Sequence, residues 1–295
     1  MSVLSGMTGF ARVAGEAEWG SWAWEAKSVN GRGLDVRVNY PPGFEALERA
    51  IKTAAPKHFQ RGSLQVALRI DLAAGSDDMA VNEPLLDKLI GVVDGRAQTA
   101  MTADAVATLM TLKGVVEAGT SNLRDLGSDE AITKMLAETG EAALLALQAE
   151  RLREGEVLSG LLSNLVQGMD DLTVQAEHLA AEQPGLLKAR LTKQLDELDP
   201  DGRVDRERMA AEIALSAAKA DVREELDRLS AHFVSARELL AGGSPVGRKL
   251  DFLAQELNRE ANTLCSKSVS LDLTNAGLGL KGLIDQFKEQ AANVE

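Results

Sequence analysis

The chain has a single cysteine, Cys265, in 295 residues, so no internal disulfide can brace it, and a reducing compartment, the cytoplasm, is expected. Aromatic residues are only 3%, too few for a large all-β sandwich, while Ala, Leu, Glu, Lys, Arg and Gln are plentiful; helix is therefore expected to dominate. No apolar run approaches the roughly 20 residues that span a bilayer. The N-terminus lacks a basic start followed by an apolar stretch, and neither end carries a lipidation signal, so no membrane role is expected. The common phosphate loops and metal motifs are missing as well: GxGxxG, GxxxxGK, HExxH and CxxC do not occur. What remains is an ordinary globular balance, 45% hydrophobic and 26% charged, which argues against disorder.

The net charge of -13 argues against a polyanionic ligand, because the average surface should repel one. Its distribution weakens that argument. Residues 1 to 75 carry 9 Lys and Arg against 7 Asp and Glu, a net of +2, which leaves -15 for residues 76 to 295.

Three segments of the first 75 residues alternate with the period of a half-buried strand. Leu64, Val66, Leu68, Ile70 and Leu72 do so, as do Leu34, Val36 and Val38. Residues 21 to 29 place Trp22, Trp24 and Ala26 on one face, and Asn30-Gly31 follows as a turn signal, so a hairpin is expected between the second and third strands. After Pro41-Pro42-Gly43, the spacing of Phe44, Leu47, Ile51, Ala54 and His58 predicts a helix, giving the order β-β-β-α-β. From residue 82 onward helical patterns take over, with breaks expected at Gly114, Gly127, Pro184 to Gly185 and Pro200 to Gly202. The expected helices cover about 129 to 178, 204 to 240, 246 to 264 and 275 to 292. The fold class is α+β: a small N-terminal mixed β-sheet with one helix, then a long, predominantly helical region. Three regions are expected: 1–155, 156–204 as a helical connector, and 205–295. An apolar stripe from Ala211 to Leu240 suits helix-to-helix packing or a subunit contact, and with an exposed face bearing Trp22 and Trp24 it predicts a homo-oligomer.

Two helix faces could carry chemistry. At 100° per residue, Asp221, Glu224, Glu225, Arg228 and His232 share an arc of about 100°. Carboxylates so placed can hold a hard divalent cation, and His232 could be a further ligand or a proton carrier. A solvated face with i,i+4 ion pairs, such as Glu224 to Arg228, gives the same pattern. The helix after Pro245 presents Arg248, Phe252, Gln255 and Arg259 opposite its apolar side, beside the i,i+4 pair Glu256 and Glu260. Guanidinium groups can pair with phosphates and a Phe ring can stack on a base, though the same ring could pack into a neighbouring helix. His58 reads as a satisfied core residue and Cys265 as a structural thiol.

SGMTGFAR at 5 to 12, WEAKSVNGRGLD at 24 to 35, RG at 61 to 62, ADVREELDRLSAH at 220 to 232 and GRKLDFLAQELNREANTLCSK at 247 to 267 resemble the YicC family of bacterial endoribonucleases. The resemblance implies an RNA-cleaving enzyme that needs a divalent metal ion, Mn²⁺ or Mg²⁺, and works as a homohexamer around a channel that closes on RNA. Its motifs fall on both helix faces. They nominate Asp221, Glu224, Glu225, Glu256 and Glu260 as metal ligands, with His232 joining Glu224, Glu225, Glu256 and Glu260 as catalytic candidates. The motif residues expected to line an RNA path are Lys27, Arg32, Arg61, Arg248, Lys249, Phe252, Gln255, Arg259 and Lys267. The nucleophile is left open between water and the ribose 2′-hydroxyl. The alternative function is a noncatalytic oligomeric adaptor that presents RNA to another nuclease.

Overall fold

The computed structural model describes residues 3–73, 79–94, 102–112, 114–118, 121–198 and 205–295, so the break expected at Pro200 to Gly202 lies outside the described residues. Strands β1 (Gly9–Ala17), β2 (Gly20–Val29), β3 (Leu34–Asn39) and β4 (Gly62–Leu72) form one sheet in the order β1-β2-β4-β3, and helix α1 (Glu45–His58) joins β3 to β4. The β1/β2 and β2/β4 pairs are antiparallel and the β3/β4 pair is parallel, so the sheet is mixed, as expected.

The expected hairpin between the second and third strands does not form, because β4 lies between them. Parallel strands need a crossover connection, and α1 supplies it, returning the chain to the inner side of β3. The Asn30-Gly31 pair misleads because a tight hairpin turn of type I′ needs positive φ at both central residues, and neither has it. Gly31 instead lies against the start of β4: a Cβ there would sit 2.9 Å from the Gly62 carbonyl carbon, and the Gly62 amide donates to Gly33 O at 3.1 Å.

The remaining elements are β5 (Met79–Val81), α2 (Glu83–Asp94), α3 (Ala103–Met110), β6 (Val116–Ala118), α4 (Ser121–Ser128), α5 (Glu130–Leu198), α6 (Arg206–Lys219), α7 (Arg223–Gly242), α8 (Gly247–Lys267) and α9 (Leu271–Ala291). Strand structure does not end at residue 82: β6 pairs with β5, and three residues are too few for alternation to show. At about 1.5 Å per residue, α5 is on the order of 100 Å long. It runs through Pro184 and Gly185, where a break was expected. The reason is anchoring. Gln183 Nε2 donates to Ala220 O at 2.9 Å, Gln183 Oε1 accepts from the Val269 amide at 2.7 Å, and Leu187 beyond the proline is buried. The single helix expected over 204 to 240 is two, because the Asp221 carboxylate accepts from the Arg223 amide at 3.0 Å and starts a new helix there. Among the described residues no helix is long and apolar enough to cross a membrane.

Two cores result, and α5 belongs to both. Its first half covers one sheet face together with α1, burying Trp22, Trp24, Leu47, Ile51, Leu64, Val66, Leu136 and Leu144. The expectation of an exposed Trp22 and Trp24 face is therefore overturned. Trp24 is fully buried and its Nε1 donates to Leu136 O at 2.9 Å, while Gly140 lets α5 approach so closely that a Cβ there would lie 2.6 Å from Ile51 Cδ1. The second half of α5 packs with α7, α8 and α9 through Leu162, Val166, Phe233, Leu257, Leu280 and Phe287.

The two cores meet at one buried charge. Arg151, on α5, has no exposed surface. Its Nε donates to Gly6 O at 2.6 Å and its Nη1 to Arg61 O at 3.0 Å, its guanidinium lies 5.0 Å from the centre of the Phe59 ring, and its Nη2 is 3.2 Å from Glu295 Oε2. The other carboxylate oxygen of Glu295 accepts from the Gln60 and Arg61 amides at 2.6 and 2.9 Å. Its carbonyl accepts from the Val246 and Gly247 amides, and its own amide donates to Ser5 O. Burial pulls the proton affinity of Arg151 down, with the charges of Glu295 and Glu154 opposing that. Removing one partner of a buried pair typically costs about 3–5 kcal/mol. Arg151→Ala and Glu295→Ala are each expected to lower the urea unfolding free energy by that order, and the double variant by clearly less than the sum. Losses below about 1 kcal/mol in both single variants would contradict the coupling.

Candidate metal centre

Helices α7 and α8 are joined by only four residues, 243 to 246, a connection short enough to make them antiparallel neighbours. Leu226, Leu229, Phe233, Ala236 and Leu240 on α7 and Leu250, Leu257, Ala261 and Leu264 on α8 bury the apolar side of the pair. The residues flanking those stripes meet along its edge. His232 from α7 and Glu256 and Glu260 from α8 each offer one ligand atom, and the three atoms all lie within 4.8 Å of one another. The i,i+4 spacing puts both carboxylates on one side of α8, and the turn brings the imidazole to them from the other helix.

The three candidate ligands differ in setting. Glu260 is 3% exposed, His232 is half-buried and Glu256 is exposed. A buried carboxylate needs a countercharge, and Arg228, one turn before His232, supplies it with Nη1 at 3.5 Å from Glu260 Oε1. The same guanidinium also binds Glu224. Glu256 has Arg259 Nη1 at 3.8 Å, and His232 makes no hydrogen bond or ion pair among the described residues. One imidazole and two carboxylates, open to solvent on the Glu256 side, fit a divalent cation that keeps coordination positions for water or a phosphoryl oxygen.

The other nominated carboxylates are held elsewhere. Asp221 precedes α7 and pairs with Arg223 at 2.6 Å, whose hydrogen bonds lower its pKa to about 2. Glu224 is exposed on Arg228. Glu225 is 4% exposed, with Oε1 accepting from Lys267 Nζ at 2.8 Å and Oε2 unpartnered. Lys267 also donates to Asp221 O at 3.1 Å, so it fastens the end of α8 to the start of α7.

Arg248, Lys249, Phe252, Gln255 and Arg259 form the solvent face of α8, with Phe252 61% exposed, so this ring does not pack into a neighbouring helix. Gln255 Nε2 donates to Asp251 Oδ2 at 3.0 Å. Lys27 is exposed on β2 and Arg32 in the loop after it, whereas Arg61 is half-buried with its backbone in the Arg151 junction and its Nε without a partner. A cavity of about 750 Å³ between α5, α6 and the start of α7, lined by Pro184, Leu187, Ala217 and Asp221 among others, holds none of the three clustered ligands. His58 is not satisfied as expected, since its Nε2 has no hydrogen-bond partner and the nearest acid, Glu141, is 3.9 Å away.

The ligand set expected from the sequence pools carboxylates of both helix faces, whereas in the structure the link between the faces is Arg228, which reaches Glu260 from α7. The signal was the four-residue connection, which puts His232 and Glu256, at nearly equal distances before and after it, level with each other.

Comparison with known proteins covers nearly the whole chain. Residues 4–160 match the family described as "Endoribonuclease YicC-like, N-terminal region", and residues 176–295 match "Endoribonuclease YicC-like, C-terminal". A Haemophilus influenzae protein named "Probable endoribonuclease YicC" is 33% identical over 296 residues, covering 99% of this chain and all of that one. A Clostridioides difficile protein of the same name is 26% identical over 295 residues, covering 98% of this chain and 99% of its own. With both halves matched in order, the chain belongs to the YicC-like endoribonuclease family.

Proposed function

We propose that this protein is a metal-dependent endoribonuclease that holds a divalent cation, Mn²⁺ or Mg²⁺, on His232, Glu256 and Glu260. The observation that carries the reading is the convergence of those three ligand atoms within 4.8 Å at the seam of two helices, on residues of the two motif-bearing segments. An imidazole among the donors favours a first-row transition ion, Mn²⁺, over Mg²⁺. The relatives' names support RNA as the substrate.

A cation bound there supplies Lewis-acid stabilisation of charge on a phosphoryl oxygen. The chain's own residues do the rest. Phe252, one turn before Glu256 and exposed, offers its ring for a base to stack on. Arg248 and Arg259, on the same solvent face, neutralise the phosphates on either side of the stacked nucleotide. Arg228, whose Nη1 lies 3.5 Å from Glu260 Oε1, would compete with a cation for that carboxylate and would supply positive charge beside it. Products lacking a 2′,3′-cyclic phosphate would assign water as the nucleophile, and cyclic products the ribose hydroxyl.

The ring of six chains implied by the family resemblance belongs to this proposal. With Trp22 and Trp24 buried, the apolar surface open to such assembly is instead at positions such as Val157, Leu271 and Leu278, 73%, 76% and 54% exposed.

Glu256→Gln and Glu260→Gln are expected to lower Mn²⁺ affinity in calorimetry and cleavage of labelled RNA by about 10- to 100-fold or more, with RNA binding retained. Asp221→Asn should leave both within about twofold, because Asp221 lies outside the cluster and surface substitutions seldom exceed about 0.5 kcal/mol. Arg228→Gln tests the competition. Glu260 then faces no competing guanidinium, so Mn²⁺ affinity is expected to rise while cleavage at saturating metal falls; weaker metal binding would contradict the arrangement. Light scattering is expected to give a mass near six times 31.4 kDa, and a mass near 31.4 kDa at micromolar concentration would overturn the ring.

A further inference from the structure

The four-stranded sheet has a covered face and an open one. On the open face the strand register aligns Phe10, Lys27, Gln65 and Arg37 in a single row across β1, β2, β4 and β3. All four side chains are exposed, Phe10 at 57%. Three inter-strand steps make this row roughly 14 Å wide. Exposed Arg12 extends it along β1, exposed Val29 lies diagonally from Phe10, and exposed Arg32 follows in the loop after β2.

The two acids of this face near the row, Asp35 and Glu25, are both held in ion pairs. Arg37 is paired with Asp35 at 3.1 Å and Arg69 with Glu25 at 3.4 Å, whereas Arg12 and Lys27 have no ion pair among the described residues. The acids Glu16 and Asp71 share a row with Ser21 at the other end, six residues or about 20 Å from Phe10. In a chain of net charge -13, Phe10 thus stands beside Lys27, which has no ion pair among the described residues, with the Gln65 amide next in the row and Arg37, held by Asp35, at its end. A lone exposed Phe needs no explanation. A ring with cations and an amide in one row fits a specific ligand chemistry: a base on the ring, phosphates on the cations and a base edge on the amide.

We infer that the open face of the sheet, along the row Phe10, Lys27, Gln65 and Arg37, is a docking surface for single-stranded RNA, separate in residues from the α8 face. This rests on the reading of RNA as the substrate. One nucleotide stacks on Phe10, Lys27 and Arg12 take the adjoining phosphates, and Gln65 and Arg37 meet the next nucleotide across the sheet. Beyond the row, at the same end of β2, Asn30 donates from Nδ2 to Asn293 Oδ1 at 2.6 Å.

The test uses the full chain carrying Glu256→Gln and a fluorescein-labelled uridine 20-mer, read by anisotropy at several salt concentrations. Phe10→Ala is expected to weaken binding by about 5- to 150-fold, the range of one base-to-aromatic stack, without changing the salt slope. Phe10→Trp should restore it. Lys27→Gln should reduce the slope of log K against log salt by about 0.7. Unchanged affinity and slope in Phe10→Ala and Lys27→Gln, with the parent binding RNA, would overturn the inference alone. No RNA binding by the parent would overturn the functional reading with it. A loss of oligomer mass in Phe10→Ala with RNA affinity intact would assign the face to a second copy of the chain and overturn the inference too.

Discussion

Arg151 is the constraint on which the rest of the molecule depends. A guanidinium with no exposed surface must find its partners in the protein, and those it finds come from the N-terminal segment, the loop before β4 and Glu295. Glu295 in turn holds the start of α8 through the Val246 and Gly247 amides. The helix that carries two of the three clustered side chains is therefore registered, through one buried ion pair, against the sheet that carries the row with Phe10. A buried charge that tolerates only one arrangement of partners lends specificity more readily than net stability, and here it sets how two separately packed cores meet.

The candidate site follows from a more local constraint. The four-residue connection makes α7 and α8 antiparallel, their apolar stripes fix the rotation of each helix, and the flanking positions then have no freedom to avoid one another. Glu260, nearly buried at that seam, holds a charge that Arg228 balances from the neighbouring helix. In the proposed function a cation takes over that role in the company of Glu256 and His232. Lys267 and Glu225 close the far end of the same seam, and the buried Glu225 carboxylate is engaged there.

Local patterns in the sequence were a sound guide wherever a single element buries one face. The alternation of Leu64, Val66 and Leu68 marks β4, and the spacing of Phe44, Leu47 and Ile51 marks α1. Properties set by distant contacts were not legible. The strand order depends on α1 carrying β4 between β2 and β3, and the burial of Trp24 depends on α5 arriving from more than 100 residues away. The break near Asp221 was hidden because the apolar spacing continues through it. The helix through Pro184 was hidden because Gln183 is held by Ala220 and Val269. At the site, the types of residue that could bind a metal were readable, but their selection required knowing which side of α7 faces α8. Phe10 gave no signal, since one apolar residue on a strand reads the same whether its face is covered or open.

Anomalous diffraction from crystals grown with Mn²⁺ locates the ion without reference to activity. One strong peak is expected within ligation distance of His232, Glu256 and Glu260, with Arg228 turned away from Glu260. A peak at Asp221 or Glu225 instead, or an empty cluster beside an undisturbed Arg228–Glu260 pair at saturating Mn²⁺, would contradict it.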